Sequence, residues 1–92
     1  MAKAIITLKI MPKSPTIDLD KLALEAEKKI TVFAGAGERK QEIEPVAFGL
    51  KALKITFVMD EAKGSTEPLE KEIIKVKGVN SVEVTDVRRA IG

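Results

Sequence analysis

An α+β sandwich, with four antiparallel strands and two helices on one face, is the fold class this sequence predicts. Three observations carry it. Apolar residues alternate in two stretches, 4–11 and 50–59. They recur at spacings of three and four in two others, within 19–31 and 69–76. The two halves of the 92-residue chain each read strand, helix, strand. A period of two marks a half-buried strand, and a period near 3.6 marks an amphipathic helix.

The elements follow in order. In AIITLKIM, residues 4–11, Ala4, Ile6, Leu8 and Ile10 share one face, and Ile5, Thr7 and Lys9 the other. Pro12 and Pro15 end that strand. Asp18 is a good helix N-cap, and Ile17 and Leu22 are spaced as a hydrophobic staple around it. Leu19, Leu22, Ala23, Ala26 and Ile30 then form the stripe of a helix over 19–31. Gly35 and Gly37 lie in the loop beyond. Residues 38–46, ERKQEIEPV, read as a polar second strand, and Pro45, which donates no ladder hydrogen bond, suits a sheet edge. Residues 50–59, LKALKITFVM, place Leu53, Ile55, Phe57 and Met59 inward. A hairpin near Phe48-Gly49 joins these two strands.

Residues 60–65 form a loop. Ser65 or Thr66 caps a second helix, whose first turn accommodates Pro68. Leu69, Ile73 and Val76 give its stripe, and Gly78 ends it. The last strand covers 79–85, with Val82 and Val84 inward. Alternation breaks at Asp86-Val87, so the ending DVRRAIG need not continue the ladder. The whole is the split βαβ arrangement of the ferredoxin-like sandwich, with strand order 4-1-3-2 and one sheet face open. A single domain over 1–92 is expected.

Composition narrows the chemistry. Charged residues make up 33% of the chain, above the usual quarter, while Asn and Gln occur once each, a balance resembling that of heat-adapted proteins. With no Cys and no His, the chain offers no disulfide, no thiolate and no zinc site. No apolar run approaches the ~20 residues that span a bilayer. A cytoplasmic protein without cofactor or metal is the expectation. The net charge of +2 favours no partner class.

Fold alone does not give function, so the residues must. An RNA-recognition module stacks bases on aromatics of its central strands. Here VAFGLKAL matches the third-strand signature only at Phe48 and Gly49, and Leu50 and Leu53 stand at the later aromatic positions. Glu42 and Glu44 would repel phosphate. Catalysis needs a held acid, base or nucleophile, and none is apparent. The loop-end pair Asp60-Glu61 suits a cation but is more commonly solvated. GAGERK, residues 35–40, follows a helix rather than opening one, the wrong context for a phosphate loop. Arg88-Arg89 is either a solvated tail or a cation aimed at an acidic or phosphate-bearing partner. Phe48 is either a lid folded over the sheet end or an exposed protein-binding anchor.

KIMPKSPTIDLDKL, EPVAFGLKALKI, GSTEPLEKEI and VNSVEVTDVRR together resemble the archaeal elongation factor 1-beta family over nearly the whole chain. More distantly the chain is similar to the catalytic domain of the eukaryotic factor, through Pro45, Phe48, Gly49, Lys51 and Leu53 and a basic residue near the end. The resemblance implies a guanine nucleotide exchange factor for the GTPase elongation factor 1-alpha, without covalent chemistry. It implies that the hairpin aromatic, here Phe48, packs on the nucleotide-binding domain of the GTPase. A terminal cation, here Arg89 or its neighbour Arg88, would reach toward magnesium and phosphate. Partner-binding residues are thus expected at Phe48, Gly49, Lys51, Arg88 and Arg89, meeting at one binding edge. Whether Lys51 and Lys54 help docking stays open. The free protein is expected to be a monomer that touches neither membrane nor nucleic acid. The alternative is a single-stranded RNA-binding or non-catalytic interaction module of the same fold.

Overall fold

Alternation makes the two central strands, and it fixes what they bury. In the computed structural model, which describes residues 3–90, the elements run β1 (Lys3–Pro12), α1 (Leu19–Ala34), β2 (Arg39–Pro45), β3 (Lys51–Asp60), α2 (Glu67–Ile74) and β4 (Val79–Ala90). The sheet order is β2-β3-β1-β4, with every neighbouring pair antiparallel. This is the predicted 4-1-3-2 order. Ala4, Ile6, Leu8 and Ile10 of β1 and Leu53, Ile55, Phe57 and Met59 of β3 are buried, as expected for their shared parity. Leu22, Ala23, Ala26 and Ile30 of α1, Leu69 and Ile73 of α2 and Val79 of β4 complete one core cluster.

The helices begin where local chemistry supplies their amides with acceptors. Asp18 Oδ1 accepts from the backbone N–H groups of Asp20 and Lys21 at 3.0 and 3.3 Å. α1 runs one turn beyond the expected 31 and stops at Gly35, whose φ of 86° is available to glycine and whose N–H donates to Thr31 O at 2.9 Å. Before α2 the two hydroxyls divide the work: Ser65 Oγ accepts from Glu67 N–H at 3.1 Å, and Thr66 Oγ1 donates to Glu70 at 2.9 Å. α2 ends at Ile74, four residues short of the predicted stop at Gly78. Gly78 instead makes the entry to β4 with a φ of 96°, packed tightly under Ile17.

β4 runs past the expected end at 85. It stays paired with β1 as far as Lys3↔Ala90. Thr7 faces Asp86 while Leu8 faces Val84, so Thr85 is an extra residue, a β-bulge. The bulge absorbs the break in alternation and returns Val87 to the inward parity. No helix among the described residues is long and apolar enough to cross a membrane.

Candidate functional site

The sequence-predicted partner residues fall in two groups, and β-sheet geometry separates them. The first group is the hairpin tip. Pro45↔Lys51 is the last ladder pair of β2 and β3. Five residues then turn the chain, closed by Val46 N–H donating to Leu50 O at 2.8 Å and Leu50 N–H donating to Ala47 O at 3.3 Å. Within that turn Phe48 has φ 61° and ψ 31°, the left-handed region, followed by Gly49 at φ 74°. A left-handed conformation costs an L-residue about 1–2 kcal/mol. The Phe48 ring offsets none of that cost by packing, because the residue is 94% exposed. It stands out of the fold, and the lid alternative is excluded.

Scarcity sharpens the point. The chain has three Phe. Phe57 is fully buried and Phe33 packs against the core from α1. Lys51 beside the turn is exposed. Lys54 is engaged: its Nζ lies 2.8 Å from a carboxylate oxygen of Glu44 across the hairpin. That hydrogen bond, and the charge behind it, holds the Glu44 carboxyl below its ordinary value of 4.5 and the Lys54 ammonium above its ordinary 10.5.

The second group is the end of β4. Arg88 lies opposite Ile5, on the open face, and its Nε donates to Asp86 Oδ2 at 2.9 Å. Arg89 lies opposite Ala4, on the helix-bearing face, and its Nε donates to both Glu61 carboxylate oxygens at 3.1 Å. Adjacent residues in a strand point to opposite faces, so the two guanidinium groups are not interchangeable. The residues after Ala90 lie outside the described range.

The expectation that Phe48 and the arginines meet at one edge is overturned by strand direction. β3 starts, and β4 starts, at the C-terminal end of β1. β4 therefore ends at the other end of the sheet from the hairpin. Arg88 is level with Ile5, Leu53 is level with Ile10, and Lys51 is two residues further on. Seven strand steps of about 3.3 Å put Lys51, at the foot of the hairpin turn, about 23 Å from Arg88, with Phe48 beyond it.

Other candidates resolve into structural roles. Asp60 caps the short turn Glu61–Lys63 through Ala62 N–H at 2.9 Å, and Glu61 holds Arg89, so neither is a free cation ligand. In GAGERK, Arg39 folds back onto Gly35 O at 2.6 Å and Glu27 Oε1 at 3.1 Å. The open face carries Ile5, Thr7 and Lys9 of β1 beside Val58, Thr56 and Lys54 of β3, with the Thr7 and Thr56 hydroxyls 3.1 Å apart. None of the three Phe stands there, so base stacking has no platform. A concavity between α1 and α2, past Lys21, Leu24 and Glu72, includes neither Phe48 nor the arginines. Sequence reasoning missed the Glu61 partnership. Its only trace was an acidic pair at a strand end, with nothing to link it to a residue 28 positions later.

Comparison with known proteins bears on this geometry. Residues 5–90 match the family described as the EF-1 guanine nucleotide exchange domain. The chain is 47% identical over 89 residues to the elongation factor 1-beta of Methanosphaera stadtmanae, covering 97% of this chain and 98% of that relative. It is 45% identical, with the same coverage, to that of Methanobrevibacter smithii. It is 42% identical over 90 residues to that of Staphylothermus marinus, covering 97% and 98%. Among solved structures it is similar to LarC2, the C-terminal domain of a cyclometallase involved in the synthesis of the NPN cofactor of lactate racemase, in its apo form. The TM-score is 0.63 at 13% identity, over 99% of this chain and 58% of that one, a likeness of fold alone.

Proposed function

The chain belongs to the EF-1 guanine nucleotide exchange family, and from that membership we propose how its two ends act on a GTPase. It is a translation elongation factor of the nucleotide-exchange class. The family implies interaction with elongation factor 1-alpha, and that GTPase is the partner in this reading. Residues 1–92 act as one exchange domain, of which 1–2 and 91–92 lie outside the described residues. The free protein is a cytoplasmic monomer that needs no cofactor and contacts neither membrane nor nucleic acid directly.

Exchange requires no bond-making by the factor. GTPases hold nucleotide through magnesium and through backbone and Lys contacts to phosphate. A protein that binds better to the GTPase with those contacts disturbed weakens nucleotide binding by the same factor, as linkage demands. Phe48, with Gly49 and Lys51, is the docking anchor. Arg89 is the cation that approaches the magnesium and phosphate region, where its positive charge opposes the metal. Arg88, on the other face and tied along its own strand, supports the end of the ladder. Because Lys51 and Arg88 are about 23 Å apart along the strands, the GTPase is gripped at two separate places.

The observation that carries this site reading is Phe48, fully offered to solvent in a left-handed turn that no internal contact rewards. Release of fluorescent GDP from the cognate elongation factor 1-alpha tests it. Saturating factor should accelerate release. Phe48→Ala should raise the half-saturating concentration, and Arg89→Ala should lower the limiting rate while Arg88→Ala leaves it within about twofold. Absence of acceleration by the wild-type chain refutes the exchange role. Wild-type rates from both Phe48→Ala and Arg89→Ala refute the site.

A further inference from the structure

Arg89 is held by a residue that belongs to neither partner-binding group, and the manner of holding gives that residue a role. Glu61 sits in the turn between β3 and α2, and both its carboxylate oxygens accept from Arg89 Nε at 3.1 Å. The turn is fixed by its own hydrogen bonds: Asp60 accepts from Ala62 N–H at 2.9 Å, and Gly64 N–H donates to Glu61 O at 3.0 Å. Glu61 thus fastens the end of β4 to a different element, whereas Asp86 fastens Arg88 only to its own strand.

A guanidinium carries five N–H donors in a planar fork. Among the described residues, Glu61 engages the Nε edge of Arg89 and no protein acceptor engages its Nη1 or Nη2. The Nη donors are therefore left over for an outside acceptor, and guanidinium N–H groups of this kind pair with phosphate or carboxylate oxygens. A long side chain held at one edge has less conformational freedom left to lose when it meets its target.

We infer that Glu61 is a positioning residue for nucleotide exchange: it clamps the Nε edge of Arg89 so that the Nη ends are presented to anionic oxygens at the nucleotide site of the GTPase. The inference rests on the role of Arg89 set out above. Glu61 acts through Arg89 and not through docking, so its effect belongs to the limiting rate of GDP release. Docking is set at the other end of the sheet, by Phe48. The pair is exposed on the Arg89 side, so its loss leaves the fold intact.

The experiment follows fluorescent GDP release from the cognate GTPase at rising concentrations of the full-length chain. Wild type is compared with Glu61→Gln, Glu61→Asp, Arg89→Ala and the Glu61→Gln/Arg89→Ala double variant, with thermal melting as the fold control. Glu61→Gln should lower the limiting rate roughly 3- to 10-fold, with half-saturation within about twofold, and should add almost nothing once Arg89 is Ala. Glu61→Asp, which keeps the carboxylate, should recover part of the loss. An unchanged or faster limiting rate for Glu61→Gln, while Arg89→Ala is slow, overturns the positioning role and leaves that of Arg89 standing. An equal loss from Glu61→Gln in both backgrounds also overturns it, because Glu61 then acts independently. If Arg89→Ala itself exchanges normally, both readings fall together.

Discussion

Replacing Phe48 by glycine should make the protein more stable and a poorer exchange factor at once. The two halves of that expectation come from the same geometry. At φ 61° and ψ 31° the backbone of Phe48 sits in the left-handed region, at a cost of about 1–2 kcal/mol for an L-residue. Glycine removes that cost, and its greater freedom in the unfolded chain returns about 0.5–1 kcal/mol. With the residue 94% exposed, almost no packing is lost. The net gain is about 0.5–1 kcal/mol, which for a domain of this size raises Tm by about 2–8 °C. Against a partner, the ring offers about 150–250 Å² for burial, and aromatic anchors of this kind contribute about 2 kcal/mol or more. At 1.4 kcal/mol per tenfold, half-saturation for GDP release should rise about 30-fold. Phe48→Ala separates the terms: it loses the ring but keeps the strain, so Tm stays near wild type while half-saturation rises as in the glycine variant. A fall in Tm for Phe48→Gly would mean that the ring packs on the fold. A half-saturation within twofold of wild type would mean that it is no anchor.

The remaining predictions concern the scaffold. Asp18→Ala removes the acceptor for two amides at the start of α1 and should cost about 1 kcal/mol in urea unfolding. Gly78→Ala places a Cβ 3.2 Å from Ile17 Cδ1 and Cγ2 at a φ of 96°, so a loss of about 2 kcal/mol or more is expected in the same assay. Phe57→Ala empties the centre of the core and should cost about 3–5 kcal/mol, visible as partial unfolding at room temperature. The Glu44–Lys54 pair predicts a pH signature in Lys54→Met. Glu44 has a depressed folded value, so its contribution is present above 4.5 and is lost as pH falls through that lower value. Lys54 has a raised one, so its contribution is present below 10.5 and is lost as pH rises through the higher value. The difference in Tm between wild type and Lys54→Met should be widest between about pH 6 and 9 and should close toward both extremes.

What the sequence disclosed and what it hid divide along physical lines. β1, β3 and the stripe of α1 were legible because their apolar residues repeat with the period of the element that buries them. The left-handed turn at Phe48-Gly49 was legible as an oddity, an aromatic where glycine and proline cluster, but its exposure was not, since a ring can fold either way from the same turn. The end of β4 was misread because a bulge shifts the pattern by one residue at Thr85, and a shifted pattern resembles an ended one. The separation of Phe48 from the arginines was already implied by an antiparallel 4-1-3-2 order. Following each strand to its end places the hairpin and the β4 terminus at opposite ends of the sheet. The Glu61–Arg89 contact was beyond reach, because it depends on which side of β4 Arg89 takes, and therefore on the bulge.

That bulge works as a reading frame. Every residue of β4 after Thr85 is assigned to a face by counting from it, with Asp86 and Arg88 on one side and Val87 and Arg89 on the other. Were Thr85 drawn into the regular ladder, each later side chain would change sides, and Arg88 would inherit the neighbourhood of Glu61. Were Thr85 deleted, the ladder would close without a bulge and the faces would stay as they are. The identity of the residue beside Glu61 is therefore written in the parity of a short segment as much as in the amino acid at position 89. An insertion or deletion of one residue between Asp86 and Arg88 is equivalent, for this end of the molecule, to exchanging the faces of its two arginines.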